Sequence, residues 1–183
     1  MWKLKRSHTC GELRVSDEGK TVVLNGWVDS RRNFGNLHFV DLRDRYGRTQ
    51  ILFSPDRAAQ LVAQADKLKA EYVIAVKGVV RRRDAGAVNK KIATGEIEID
   101  VTELEILNEA KTPPFPVNDF LTVTEETRLQ YRYLDLRRPT MQKHMITRHK
   151  ITHAIRASMD KQGFIEIETP VLVKFTPGGA RNF

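Results

Sequence analysis

Cations and aromatic rings interleave between residues 31 and 50: Arg31, Arg32 and Phe34 precede Gly35, and Phe39, Arg43, Arg45, Arg48 and Gln50 follow it. An aromatic ring stacks on an unpaired base, a guanidinium neutralises phosphate or bonds a base edge, and a carboxamide reads an edge through its donor and acceptor. That chemistry suits a single-stranded nucleic acid, each stack or specific contact contributing about 1–3 kcal/mol. Strand alternation alone leaves Phe39 equally suited to core or surface. Phe34, beside a glycine, is expected to be exposed, and Trp27 to be core.

The remaining reactive side chains suggest less. His8, His38, His144, His149 and His153 lack an HExxH or comparable ligand spacing, so no metal site is expected. Glu166 and Glu168 share one face of an expected strand, a pattern commoner among salt-bridged carboxylates than among catalytic pairs. Neither a GxSxG elbow nor a Walker-type glycine loop occurs. The run Arg81-Arg82-Arg83 reads as a solvated strand end. Cys10 is the single cysteine, which excludes an intrachain disulfide or a Cys-rich zinc cluster and reads as a packed thiol. No catalytic residue is assigned in this chain.

Composition fits a polyanionic partner. The 183 residues carry 31 Lys and Arg against 23 Asp and Glu, a formal charge of +8. Ten cations and six anions fall in residues 1–53 and twelve and seven in 111–183, so two basic regions flank a slightly acidic 71–110. No apolar run approaches the roughly 20 residues of a membrane span. The basic N-terminus leads into no apolar stretch, so the expected compartment is the cytoplasm.

The elements that must position the ring-and-guanidinium set follow from periodicity. Alternation over 20–33, 37–44 and 48–53, with a turn at Tyr46-Gly47, predicts a three-stranded meander. Asp56 is the expected N-cap of a helix of about three turns carrying Ala58, Leu61, Val62, Ala65 and Leu68. Two more strands are expected over 72–83 and 96–107. Three strands, a helix and two strands is the plan of an OB-fold, a five-stranded Greek-key barrel in a β-rich α+β chain. Residues 1–109 are assigned to this barrel. Pro113, Pro114 and Pro116 mark a linker or hinge over 110–140. An amphipathic helix over 141–162, a stop at Gly163 and a strand over 164–168 complete the pattern. One helix and one strand leave an apolar side uncovered, so 141–183 is expected to open a larger domain that continues past Phe183.

Taken together, several segments resemble one family, the bacterial-type aspartyl-tRNA synthetases. They are Cys10-Gly11-Glu12-Leu13, Gly26-Trp27-Val28, Arg31-Arg32, residues 39–44 (FVDLRD), 93–98 (ATGEIE), 131–139 (YRYLDLRRP) and Glu168-Thr169-Pro170. The resemblance covers essentially the whole chain; lysyl- and asparaginyl-tRNA synthetases share the architecture but fit 93–98 and 131–139 less well. It implies an OB-fold that reads the tRNA anticodon, with Arg32, Phe39 and Gln50 at base-contacting positions and Arg31 and Phe34 beside them. It further implies that 141–183 is the start of a class II α/β catalytic domain. Gly163, Phe164 and Pro170 would stand in its motif 1, at a homodimer interface. The complete enzyme would join aspartate to tRNA through aspartyl-adenylate, using ATP and Mg²⁺. Gly178 and Asn182 depart from the family's Glu-Gly-Ala-Arg-Asp loop, in which Arg181 keeps its place, and a glycine cannot supply the glutamate's charge to the amino acid's ammonium group. Motifs 2 and 3 are expected beyond Phe183, so these 183 residues alone are expected neither to bind ATP nor to activate aspartate. A stand-alone OB-fold RNA-binding protein is the alternative expectation.

Overall fold

The computed structural model describes residues 3–57, 59–120 and 122–172, and the chain divides into two units, Met1–Pro116 and Val117–Phe183. Five strands form a closed barrel in the first: β1 (Thr21–Phe34), β2 (Leu37–Arg43), β3 (Arg48–Phe53), β4 (Val73–Arg82) and β5 (Ile97–Asn108), in the order β1-β2-β3-β5-β4. β1 serves two neighbours. Thr21 to Trp27 pair with β4, and Trp27 to Phe34 pair with β2. A bulge between Val28 and Ser30 bends the strand between the two pairings, as an extra residue in one strand must. β5 closes the barrel, antiparallel to β4 and parallel to β3.

The connections follow local chemistry. Phe34 and Leu37 are joined through Gly35-Asn36, where Gly35 takes φ +59°, the left-handed conformation that tight hairpins give to glycine. The expected turn at Tyr46-Gly47 is built on Asp44, whose carboxylate accepts from the backbone N–H groups of Tyr46 at 2.7 Å, Gly47 at 3.0 Å and Cys10 at 2.9 Å. Leu13, Val22, Leu24, Val40, Leu42, Ile51, Phe53, Ile74, Val76 and Ile99 fill the interior.

Three expectations need correction in this unit. The helix α1 (Ala59–Ala65) has two turns rather than three, because the chain tightens after Ala65 into i→i+3 bonds, Lys67 to Gln64 and Leu68 to Ala65. Asp56 lies three residues ahead of that helix, where its N–H donates to Ser54 Oγ at 3.3 Å, so it does not cap it. Trp27 belongs to the outer wall: it is half-buried opposite Arg43, whose guanidinium carbon stands 5.9 Å from its ring centroid.

The second unit holds α2 (Glu125–Gln130), α3 (Arg132–Asp135) and α4 (Pro139–Lys161). Thr124 caps α2 by accepting from the Thr127 N–H, with Glu125 and Glu126 in the first turn. Buried Asp135 accepts from Arg138 at 2.8 Å, and Arg138 also donates to the Asn118 carbonyl at 2.9 Å. Gly163, at φ +84°, ends α4 as expected: its N–H reaches the Asp160 carbonyl and that of Phe164 the Met159 carbonyl, a Schellman closure. The expected strand over 164–168 is not one among the described residues, since an isolated extended segment has no neighbour for its backbone groups. Glu166 bonds Arg156 at 2.7 Å, the structural role expected of it.

Candidate nucleic-acid interface

Register decides which of the candidate side chains meet. Arg32 lies opposite Phe39, Phe39 opposite Leu52, Asp41 opposite Gln50, and Arg81 opposite Glu98. Because side chains alternate, the row Arg32–Phe39–Leu52 faces out of the barrel, while its neighbour Arg31–Val40–Ile51–Ile99 faces the core. Arg32, Phe39 and Gln50 therefore share one outer wall. Arg31 does not join them: its guanidinium donates to the Ala65 carbonyl at 3.0 Å and to that of Asp66, occupying the orphan acceptors where α1 ends.

A polar chain runs across this wall. Ser30 Oγ donates to Asp41 at 2.7 Å, and Arg32 Nη2 lies 3.4 Å from the same carboxylate. Arg32 Nη2 also donates to Gln50 Oε1 at 3.1 Å, Gln50 Nε2 donates to Glu98 Oε2 at 2.7 Å, and Arg81 Nε donates to Glu98 Oε1 at 2.7 Å. Gln50 is consequently only 3% exposed although it faces outward; charged side chains of the groove cover it, not the core. Each half of its amide has one assigned partner, so the orientation of the carboxamide is set before any ligand arrives.

Arg32, Gln50, Glu98 and Arg81 of this polar chain line a groove of about 450 Å³, within the range of small-ligand sites. Phe39 is half-exposed in it, and Phe34, 79% exposed, stands at the hairpin tip above it. Arg81 and Arg83 form the opposite side, with Glu98 between Arg81 and Gln50. The Nε of Arg83 is buried with no acceptor among the described residues, an unspent donor beside the groove. Rings that offer a π-face and guanidinium groups that offer forked donors hold an unstacked base and its phosphates.

Sequence reasoning missed Arg81, Arg83 and Glu98. The signal was available: in a strand, Arg81 and Arg83 must point the same way and Arg82 the other, and Glu98 alternates with the buried Ile97 and Ile99. Cys10 lies away from the groove, fully buried, its thiol pushed up by burial and by the neighbouring Asp44 carboxylate. That environment suppresses the thiolate and with it nucleophilic chemistry. Gly163, Phe164 and Pro170 are exposed in the second unit; Gly178, Arg181 and Asn182 lie outside the described residues.

Residues 22–107 match the family model for OB-fold nucleic acid binding domains, and residues 124–183 that for class II tRNA synthetases (D, K and N). The aspartate–tRNA(Asp/Asn) ligase of Caldanaerobacter subterraneus subsp. tengcongensis is 54% identical over 180 residues, covering 98% of this chain and 30% of the relative. Among solved structures, the aspartyl-tRNA synthetase of Entamoeba histolytica aligns with a TM-score of 0.83 at 25% identity, over 96% of this chain and 41% of that one. The asparaginyl-tRNA synthetase of Pyrococcus horikoshii with asparaginyl-adenylate aligns with a TM-score of 0.80 at 26% identity, over 96% and 39%. The chain spans about 30% of the length of the curated relatives it matches.

Proposed function

The chain belongs to the aspartyl-tRNA synthetase family, and from that premise we propose that its barrel binds the anticodon loop of a tRNA. One unstacked base lies on Phe39, Gln50 and Arg32 meet its edge, and Arg81 and Arg83 take phosphate or a neighbouring base. The observation that carries this reading is the shared outward row of Arg32 and half-exposed Phe39, with the Gln50 amide fixed between Arg32 and Glu98. Phe34, at the hairpin tip, covers a second base.

The protein to which this barrel contributes joins aspartate to tRNA through aspartyl-adenylate, with ATP as co-substrate. Mg²⁺ would shield the ATP phosphates in that reaction. No group of three or more His, Cys, Asp or Glu among the described residues is placed to hold a metal ion. What this chain contributes is tRNA recognition. Gly163, Phe164 and Pro170 are assigned to a homodimer interface, Gly178 and Arg181 to the loop over the amino acid, and the cytoplasm is the compartment in which tRNA is charged.

Titration of the purified chain with an RNA stem-loop carrying an aspartate anticodon tests the central point. Phe39→Ala should weaken binding by about 1–3 kcal/mol, roughly 5- to 150-fold, with unchanged circular dichroism. Equal affinity in the two proteins would remove the stacking role.

A further inference from the structure

A second basic and aromatic groove lies on the outside of the barrel, lined from the N-terminal segment, β1, the β2–β3 turn, β4 and β5. The bulge in β1 keeps Trp27 and Arg32 on one face, so the outward row Phe39, Asp41, Arg43 of β2 leads from the first groove toward the β2–β3 turn. There Arg6, Trp27, Arg45 and Tyr46 line a groove of about 580 Å³. Tyr46 is half-exposed, and Arg45 lies over its ring at 4.6 Å from the centroid while donating to its hydroxyl at 2.6 Å. The Arg45 fork is thus held in place before binding, which lowers the entropy cost of each bond it makes. Arg43, over Trp27, donates to Asp29 at 2.8 Å and to Glu71, so those carboxylates are neutralised from within the wall. The one acidic residue lining the groove, Asp44, already accepts three backbone N–H groups. The exposed charge facing a ligand there is that of Arg6 and Arg45.

We propose that this groove holds the sugar–phosphate backbone of the RNA stem adjoining the anticodon loop, an inference that rests on the barrel's RNA reading given above. From Phe39 to Arg43 is four residues, about 13 Å along a strand. At roughly 3.4 Å per stacked nucleotide that is about four steps, so one short stem-loop reaches both grooves. The exposed forks of Arg6 and Arg45 suit phosphate, which positions an RNA without reading its sequence, while the Asn25 amide in the groove gives its donor to the Leu4 carbonyl.

The test compares two probes, the stem-loop and the same loop sequence as a linear strand. Arg6→Ala with Arg45→Ala should lower stem-loop affinity on the order of tenfold and flatten the slope of log K against log salt by about 1.8, leaving the linear strand bound as before. Arg45→Lys alone, which keeps the charge, should leave the slope as in the unsubstituted chain. Both arginines are exposed, and thermal unfolding checks that the double variant folds. Unchanged stem-loop binding overturns the proposal, as does an equal loss on both probes. A change confined to self-association would make the groove a protein interface and overturn it too. Failure of the unsubstituted chain to bind either probe would instead remove the RNA reading of the barrel, and this inference with it.

Discussion

Gln50 and Glu98 meet across the parallel β3–β5 step, the amide Nε2 donating to the carboxylate Oε2 at 2.7 Å. With its donor end given to Glu98, the amide turns its oxygen toward Arg32 and the groove. A base that presents an N–H to that oxygen is favoured over one that presents an acceptor.

Replacing Glu98 with Gln removes the charge that fixes the amide. Glu98→Gln should therefore reduce discrimination between matched and mismatched loops by about 1–3 kcal/mol. In a double-mutant cycle with Gln50→Ala the two losses should be non-additive by about 0.5–3 kcal/mol, because one acts through the other. Additive losses would mean that Glu98 does not orient Gln50.

Arg31 and Arg32 are adjacent in sequence and do different work. Arg31→Ala strips the Ala65 and Asp66 carbonyls of their charged donor and should cost about 1–2 kcal/mol of stability, with stem-loop affinity kept below the melting transition. Arg32→Ala should do the reverse, weakening RNA binding while shifting the melting temperature little. Melting curves and titrations on the same two variants separate the roles; matching profiles would contradict the alternating faces.

Much of the barrel was legible because period-2 patterning and turn chemistry act over a few residues. The β3 boundaries, the Tyr46-Gly47 turn and the Gly163 stop all follow from local rules. What was not legible depended on long-range register. Arg31 looked equivalent to Arg32 until pairing with Val40 put it on the core side. Trp27 looked like core because size and hydrophobicity suggest burial, but it alternates with buried Val22, Leu24 and Val28 and so stands on the outer wall beside Arg43. Helix α2 was missed although Thr124-Glu125-Glu126 is an N-terminal signal, its apolar periodicity being too short to register. The Gln50–Glu98 bond joins residues 48 apart, a distance no local pattern spans.

Two glycines sit where strands approach too closely for a side chain. A Cβ at Gly26 would lie 2.5 Å from the Arg43 carbonyl oxygen, and one at Gly78 would lie 2.5 Å from that of Asp100. Both obstacles are backbone in a closed barrel, so the strands must shift. Gly26→Ala and Gly78→Ala should each cost about 1–3 kcal/mol in denaturant unfolding. Gly86→Ala, where no atom lies within 4 Å, should stay within about 0.5 kcal/mol.

Cys10 gives a pH dependence of defined sign. Burial, first, and the Asp44 carboxylate, second, raise its thiol above the ordinary value, so the folded state keeps a proton that the unfolded chain releases. Its contribution to stability is complete below about pH 8.5, the unfolded thiol's pKa, and is lost as pH climbs above it. The limiting slope is about 1.4 kcal/mol per pH unit for one proton. Chemical denaturation between about pH 8.5 and 9.5 should show stability falling with pH, and Cys10→Ala should remove that part of the fall while lowering stability at neutral pH. Iodoacetamide should label the native thiol only as fast as the barrel opens. Rapid labelling under native conditions, or an unchanged slope in Cys10→Ala, would mean that the thiol is not held protonated by the fold.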